Sequence, residues 1–207
     1  MSLFVILLGG RLSATPRLLA QIVGARVIAA DSGMAHADAL GVSPEVWVGD
    51  FDSADADLQA RFAAIPRLAF APEKDATDGE IAVVEALKRG AKRLILAGAF
   101  GGQSDHLMGT VALAIALKQE GIDVMLTSGD EEGWPLVPGA KALDLSAGAR
   151  ISLIPFADFG ALTISGVKWP LENRNVPLGS SLTLSNVATG PVAISLASGK
   201  GFVVAYP

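Results

Sequence analysis

The chain contains no cysteine. Disulfides, thiolate nucleophiles and zinc–thiolate centres are therefore excluded, and the composition fits a reducing compartment. Its two histidines, His36 and His106, are too few for a histidine-rich metal site. Long basic runs are also missing: 16 Lys and Arg face 21 Asp and Glu, a net charge of −5. That balance argues against nucleic acid or an anionic membrane as the main partner and favours small polar ligands. The opening LFVILLGG is too short for a signal-peptide core and lacks a basic leader. No apolar run reaches the ~20 residues that span a bilayer, so a cytoplasmic protein is expected.

What is present in quantity is apolar surface. Hydrophobic residues make up 51% of the 207 positions, enough for one large domain or two small ones. The first half alternates continuous apolar runs with helical patterns. Leu3–Leu8, Arg26–Ala30, Val46–Val48, Arg93–Ala97 and Asp123–Thr127 read as buried strands. Between them, Thr15-Pro16 starts a helix, Met34–Leu40 reads as a second, and Leu58, Phe62 and Ile65 form the stripe of a third. Ile81, Val84 and Leu87 mark a fourth, and Leu107, Val111, Ala114 and Ile115 a fifth. This is the pattern of an α/β domain with a mainly parallel sheet, Rossmann-like and three-layered.

The centre of the chain's chemistry is Val48–Ser53, VGDFDS. Residues two apart on extended backbone point to the same side, so Asp50 and Asp52 project together from a strand end. Two neighbouring carboxylates repel and call for a cation. Mg²⁺ is a hard ion usually held by one or two carboxylates together with substrate phosphates. A helix cap near Ala54 accounts for one of the acids but not for both. Further on, Glu73–Glu80, EKDATDGE, opens a helix. Thr77 and Glu80 form a capping box there, and Asp78 favours the helix dipole. Lys74 and Asp75 are left over from capping; with Asp78 they suit a phosphate and its metal.

Other strand ends are also polar or glycine-rich. Asp31-Ser32-Gly33 follows the second strand, and Gly98–His106, containing Gly101-Gly102-Gln103-Ser104-Asp105-His106, follows the strand at Arg93–Ala97. Paired glycines let backbone approach a ligand closely. In a parallel sheet all these ends lie on one edge, where ligands bind.

After Asp123–Thr127 the helical period disappears. Ser128–Lys141 reads as a linker or irregular hairpin. Short strands are expected at Arg150–Pro155, Ala161–Ser165, Ser181–Leu184, Val192–Leu196 and Phe202–Ala205, forming an all-β sandwich or barrel. The expected division is 1–135, the α/β domain, and 136–207, the β domain.

Taken in order, DSG at Asp31–Gly33, GDFDS at Gly49–Ser53, KDATDGE at Lys74–Glu80, GGQSDH at Gly101–His106, GVKWPL at Gly166–Leu171 and SN at Ser185–Asn186 resemble the thiamine pyrophosphokinase family. The six blocks cover nearly the whole chain. The resemblance implies transfer of the β,γ-pyrophosphoryl group of ATP to thiamine, giving thiamine diphosphate and AMP. It also implies a homodimer with its sites at the subunit interface, residues 1–135 binding ATP and Mg²⁺ and residues 136–207 binding thiamine. Carried over block by block, Asp50, Asp52, Asp75 and Asp78 become the metal-binding and catalytic acids. Asp31, Ser32, Gly33, Lys74, Thr77, Gly101, Gly102, Gln103, Asp105 and His106 become ATP contacts. Trp169, Ser185 and Asn186 become thiamine contacts, and an aromatic face does attract a cation such as the thiazolium.

The sequence departs from the family pattern in places. Gln103 stands where arginine is common, which removes one charge-assisted phosphate contact. Ser32 replaces a glycine, His36 an asparagine, and Val187 stands where glutamate is frequent. Two other functions compete. An Asp-x-Asp metal-dependent nucleotide-sugar transferase accounts for Asp50 and Asp52 but leaves KDATDGE, the Gly-Gly turn and the β half unexplained. A thiamine-binding protein without turnover is motivated by Gln103.

Overall fold

The computed structural model describes residues 2–51, 56–70 and 76–207. The chain forms two compact units, Met1–Leu113 with Ile122–Gly129, and Ala114–Gly121 with Asp130–Pro207.

The sheet of the first unit comprises β1 (Leu3–Leu7), β2 (Arg26–Ala30), β3 (Val46–Gly49), β4 (Arg67–Ala69), β5 (Arg93–Ala97) and β6 (Asp123–Thr127). Its order is β6-β5-β1-β2-β3-β4, and every pairing is parallel. Side chains alternate across a sheet, and apart from the edge strand β4 and the first residues of β2, β5 and β6 both faces here are largely buried, which is why the body of these strands is apolar. Val5, Leu7, Val27, Ala29, Trp47, Ile95 and Ala97 belong to one core. That core is closed by Leu18 and Ile22 near helix α1 (Pro16–Gln21), Ala37 and Leu40 of α2 (Ala37–Leu40), and Leu58 of α3 (Ala56–Arg61). Helix α4 (Asp78–Lys88) packs on β1, β2 and β3, and α5 (Ser104–Gln119) follows β5.

Three local readings change. The segment expected as one helix over Met34–Leu40 is a 3-10 turn, Asp31–His36, followed by the single turn of α2. Met34, Ala37 and Leu40 are nevertheless the buried residues, because three- and four-residue spacings keep them on one side in either helix type. On α4 the buried residues are Ala82, Val83 and Ala86, not the stripe of larger side chains. Small residues let the helix sit close to the sheet, while Ile81 and Val84 line a concavity of about 220 Å³ with Phe70 on its outer side. Strand β4 has no apolar run to announce it; Trp47 N–H donates to Pro66 O beside it.

The second unit is antiparallel: β7 (Glu132–Leu136), β8 (Gly139–Leu143), β9 (Arg150–Pro155), β10 (Phe159–Val167), β11 (Leu171–Val176), β12 (Asn186–Leu196) and β13 (Gly201–Tyr206). The pairings run β7-β13-β9-β12-β10-β11, with β8 also on β12. Strand β12 changes partners along its length: Asn186-Val187 pair with β9, and Val192–Leu196 lie between β8 and β10. Gly166 (φ 75°) makes the accompanying irregularity in β10 possible, since a Cβ there would meet Pro191 O at 2.1 Å.

Two expectations are overturned here. Ser128–Lys141 is neither a linker nor a hairpin paired on itself, because it contains β7, buried at every position and paired with β13, and the start of β8, paired with β12. Its Gly, Pro and acids hid a strand whose hydrogen bonds go to β13. Ser181–Leu184 is a turn, not a strand. Thr183 anchors it: its Oγ1 donates to Leu153 O at 2.6 Å, and Leu153 N–H donates to Thr183 O at 2.9 Å. The alternation that suggested a strand reflects one buried residue between exposed Leu182 and Leu184.

Candidate active site at the strand carboxyl ends

The turn after β1, Leu8–Arg11, is the hub of the parallel unit's carboxyl edge. Gly10 N–H donates to Gly98 O at 2.9 Å and Arg11 N–H to Phe100 O at 2.8 Å, which stitches it to the turn after β5. The turn after β2 is equally near. A Cβ on Gly9 would lie 2.3 Å from Ser32 Oγ, and one on Gly33 would lie 2.2 Å from Leu7 O. His36 Nε2 is 2.9 Å from Gly10 O, an N–H to carbonyl bond in that ring tautomer. The start of α4 reaches the same hub, since a Cβ on Gly79 would be 3.0 Å from Leu8 Cδ2. Separate segments therefore meet within van der Waals range, and only glycine fits at several of the crossings.

Two residues on this edge occupy backbone that L side chains rarely adopt: Asp31 (φ 44°) and Phe51 (φ 66°). Aspartate tolerates the left-handed region; for a bulky residue it is strained. One buried side chain touches both. Trp47 Nε1–H donates to Asp31 O at 2.8 Å. The same indole meets the Phe51 ring edge-on, with centroids 5.1 Å apart. Arg67 covers the pair, its guanidinium carbon 5.2 Å from the Trp47 ring and 5.1 Å from that of Phe51. Gln59 holds Arg67 through its side-chain and backbone oxygens, each at 3.1 Å. Strain of this kind concentrates at functional sites when surrounding packing over-determines it. Here it fixes the course of the chain on either side of Asp50.

Asp50 follows β3 and is partly exposed; Gly49 brings it beside Asp31, whose Cα would be 3.3 Å from a Cβ at Gly49. Asp78 is the first residue of α4, also partly exposed. Thr77 is the cap of that helix, its Oγ1 accepting from Glu80 N–H at 3.2 Å, which bears out the amino-terminal half of the capping box. Asp52, Lys74 and Asp75 lie outside the described residues. The donors at hand are carboxylate oxygens, the chemistry a hard divalent cation such as Mg²⁺ requires. Among the described residues, no group of three His, Asp or Glu side chains is placed to hold a metal.

The turn after β5 presents Gly101, Gly102 and Gln103 at the surface, leading into α5. Gly101 (φ 72°) lies against the Arg11 side chain, and a Cβ on Gly102 would be 3.4 Å from Gly10 Cα. Asp105 and His106 are exposed in the first turn of α5, and Asp105 Oδ1 accepts from His106 N–H at 2.9 Å. The amino end of this 16-residue helix carries N–H groups of the kind that bind anions, two of them taken within the turn, His106 N–H by Asp105 Oδ1 and Leu107 N–H by Gln103 O.

In the β unit, Trp169 follows β10 and is 54% exposed, so it is not a core aromatic. Lys168 Nζ sits 4.7 Å from the centre of its ring. Asn186 is buried and committed to this residue: its Oδ1 accepts from Trp169 N–H at 3.1 Å and its Nδ2 donates to Trp169 O at 2.8 Å. The same oxygen accepts from Val187 N–H at 2.9 Å. The amide thus holds the tryptophan's backbone. Ser185, exposed and at φ 57°, is anchored by its N–H to Ser152 Oγ at 2.9 Å.

Gly9, Gly10, Arg11, Trp47 and Arg67 join the candidate residues only through the structure. Gly9-Gly10 was visible as a strand end, and its paired glycines are the same signal that marked Gly101-Gly102. Trp47 carried no signal: a tryptophan in an apolar run reads as core.

Comparison with known proteins places these features in a family. Residues 23–126 match the model of the thiamin pyrophosphokinase catalytic domain, and residues 142–200 that of the thiamin pyrophosphokinase vitamin B1 binding domain. A thiamine pyrophosphokinase of Bacillus subtilis is 32% identical over 163 residues, 77% of this chain and 76% of the relative. The crystal structure of thiamine pyrophosphokinase from Bacillus subtilis superposes with a TM-score of 0.86 at 25% identity, covering 100% of this chain and 99% of the other. That from Geobacillus thermodenitrificans gives 0.81 at 27% identity, covering 100% and 98%. A mixed architecture of parallel sheet, helices and an all-β carboxyl-terminal portion is common to them, and the chain belongs to the thiamin pyrophosphokinase family.

Proposed function

We propose that the protein transfers the β,γ-pyrophosphoryl group of ATP to the hydroxyl oxygen of thiamine, releasing AMP and thiamine diphosphate. The observation that carries this reading is the match of both halves of one chain, in order, to the catalytic and vitamin B1 binding models. The meeting of the turns after β1, β2, β3 and β5 with the start of α4 supports it from geometry. In this reading the parallel unit is a Rossmann-like, three-layer nucleotide domain, and the antiparallel unit, which takes in β7 and so begins before the expected boundary at 136, is a sandwich or barrel that binds thiamine.

The thiamine hydroxyl oxygen attacks the β-phosphorus. The bond from that phosphorus to the α,β-bridging oxygen breaks, and AMP leaves with the electron pair. The hydroxyl proton passes to an aspartate. Such transfers depend on positioning and charge more than on covalent chemistry by the protein. Asp50, Asp52, Asp75 and Asp78 would hold Mg²⁺, which when bound neutralises phosphate charge. Asp31–Gly33, Lys74, Thr77 and the Gly101–His106 segment orient the nucleotide, in part through the backbone donors of α5. Trp169 presents its face to the thiazolium, Asn186 acts by holding Trp169 in place, and Ser185 borders the same surface.

The same reading assembles two copies, with the β unit of one serving the acid edge of the other. Exposed Leu178, Leu182 and Leu184 support such an interface. A molar mass of one chain in solution at micromolar concentration would overturn the dimer. For the reaction, incubation with ATP, Mg²⁺ and thiamine must release AMP, and a nucleotide sugar must not replace ATP. Near-native turnover of Asp50→Asn at saturating Mg²⁺ would remove the acids from their assigned role.

A further inference from the structure

The turn after β1 carries a charge that no motif singles out. In the described turns that follow β1, β2, β3, β5 and β6, residues 8–15, 31–36, 50–51, 98–103 and 128–131, Arg11 is the only arginine or lysine. The edge is otherwise acidic, with Asp31, Asp50 and Asp78 upon it. A polyphosphate approaching this edge meets carboxylates that repel it, and a fixed cation must offset them alongside any metal. Gln103, in the Gly-Gly turn, has no charge to give.

Arg11 is built into that position. Its N–H donates to Phe100 O at 2.8 Å, an antiparallel bridge between the two turns. Its stem lies across Gly101, where an added Cβ would stand 2.9 Å from both Cγ and Nε. The absence of a side chain at Gly101, whose φ of 72° itself favours glycine, is what lets the arginine cross the turn that leads into α5. The residue is exposed, so its guanidinium faces solvent rather than the core. A planar guanidinium can bind two phosphate oxygens at once, which an ammonium cannot.

We propose that Arg11 is a nucleotide-binding residue, its guanidinium held over the Gly101-Gly102 turn to take the phosphate oxygens of ATP. The assignment deepens the pyrophosphoryl-transfer reading and rests on it.

The test is Arg11→Gln, with Arg11→Lys beside it, in the full chain. Two readouts are needed: steady-state KM for ATP and for thiamine, and equilibrium binding of a non-hydrolysable ATP analogue without thiamine. Loss of a charge-assisted bond raises the KM for ATP and weakens analogue binding roughly 10- to 100-fold. The KM for thiamine stays unchanged, and Arg11→Lys recovers only part of the loss. Adding Gln103→Arg to Arg11→Gln restores a guanidinium to the same turn and recovers analogue affinity. Unchanged melting of Arg11→Gln excludes a folding defect; should it melt early, the rescue by Gln103→Arg decides. A wild-type KM for ATP in Arg11→Gln, or equal rises for ATP and thiamine, overturns the role of Arg11 while leaving pyrophosphoryl transfer intact. Failure of the wild-type protein to form AMP strikes that reading instead, and analogue binding still reports on Arg11.

Discussion

Trp47→Phe separates packing from positioning at the acid edge. The substitution keeps an aromatic ring in the core but removes the indole N–H that bonds Asp31 O and shortens the edge that meets Phe51. Two carbons and the nitrogen leave a fully buried site; the carbons are worth ~1.6 kcal/mol at about 0.8 kcal/mol each. The lost hydrogen bond adds ~1 kcal/mol, and more if the Asp31 carbonyl finds no water. A total of ~3 kcal/mol lowers the melting temperature by roughly 6–12 °C for a chain of this size. Stability alone leaves the activity of the folded fraction untouched. The clamp requires more, because Phe51 holds left-handed backbone against a cost of ~1–2 kcal/mol, Asp31 holds it at a smaller one, and both relax once Trp47 no longer ties them. Turnover measured well below the melting transition, normalised to folded protein, therefore falls at least about tenfold, the equivalent of ~1.4 kcal/mol in the barrier. Lower stability with wild-type turnover per folded molecule would refute the clamp and leave Trp47 as an ordinary core residue.

Thr77→Ala removes the α4 cap and costs ~1 kcal/mol, measurable as a shift in denaturant midpoint without a change in slope. Asn186→Ala frees the Trp169 backbone; thiamine KM rises more than ATP KM, and a proportional rise in both contradicts the assignment. Gly33→Ala places a Cβ 2.2 Å from Leu7 O, so the variant destabilises by several kcal/mol or fails to fold. Its circular dichroism melt decides. Glu45 is held below its ordinary carboxylate range, first by its bond to Arg26 and then by Arg89. A depressed acid stabilises the fold above its unfolded pKa and loses that contribution as pH falls through the folded value. The stability gap between wild type and Glu45→Gln is therefore present at neutral pH and closes in acid, beginning near pH 4; a pH-independent gap would contradict the pairing.

The parallel half, except for edge strand β4, was legible because its strands are buried on both faces and read as apolar runs, most of them followed by glycine or acid. Arg26–Ala30, Arg93–Ala97 and Asp123–Thr127 fall where those runs lie. Strand β7 was hidden because a strand's pairing comes from its neighbours, and EGWPL has the composition of a turn while pairing with β13. The alternation at Ser181–Leu184 misled for the opposite reason, since Thr183, bonded to Leu153, buries itself without any ladder. The acids were visible as a motif, whereas the parts that fix their surroundings were not. Arg11, Trp47 and Arg67 act through contacts with residues far along the chain, and no local pattern encodes those.

The most direct measurement follows the label from ATP carrying radioactive phosphorus in its γ position, with thiamine and Mg²⁺ present. If the pyrophosphoryl group moves as one unit, the label appears in thiamine diphosphate in step with unlabelled AMP. Label released as orthophosphate with ADP, or no labelled thiamine product at all, would contradict pyrophosphoryl transfer.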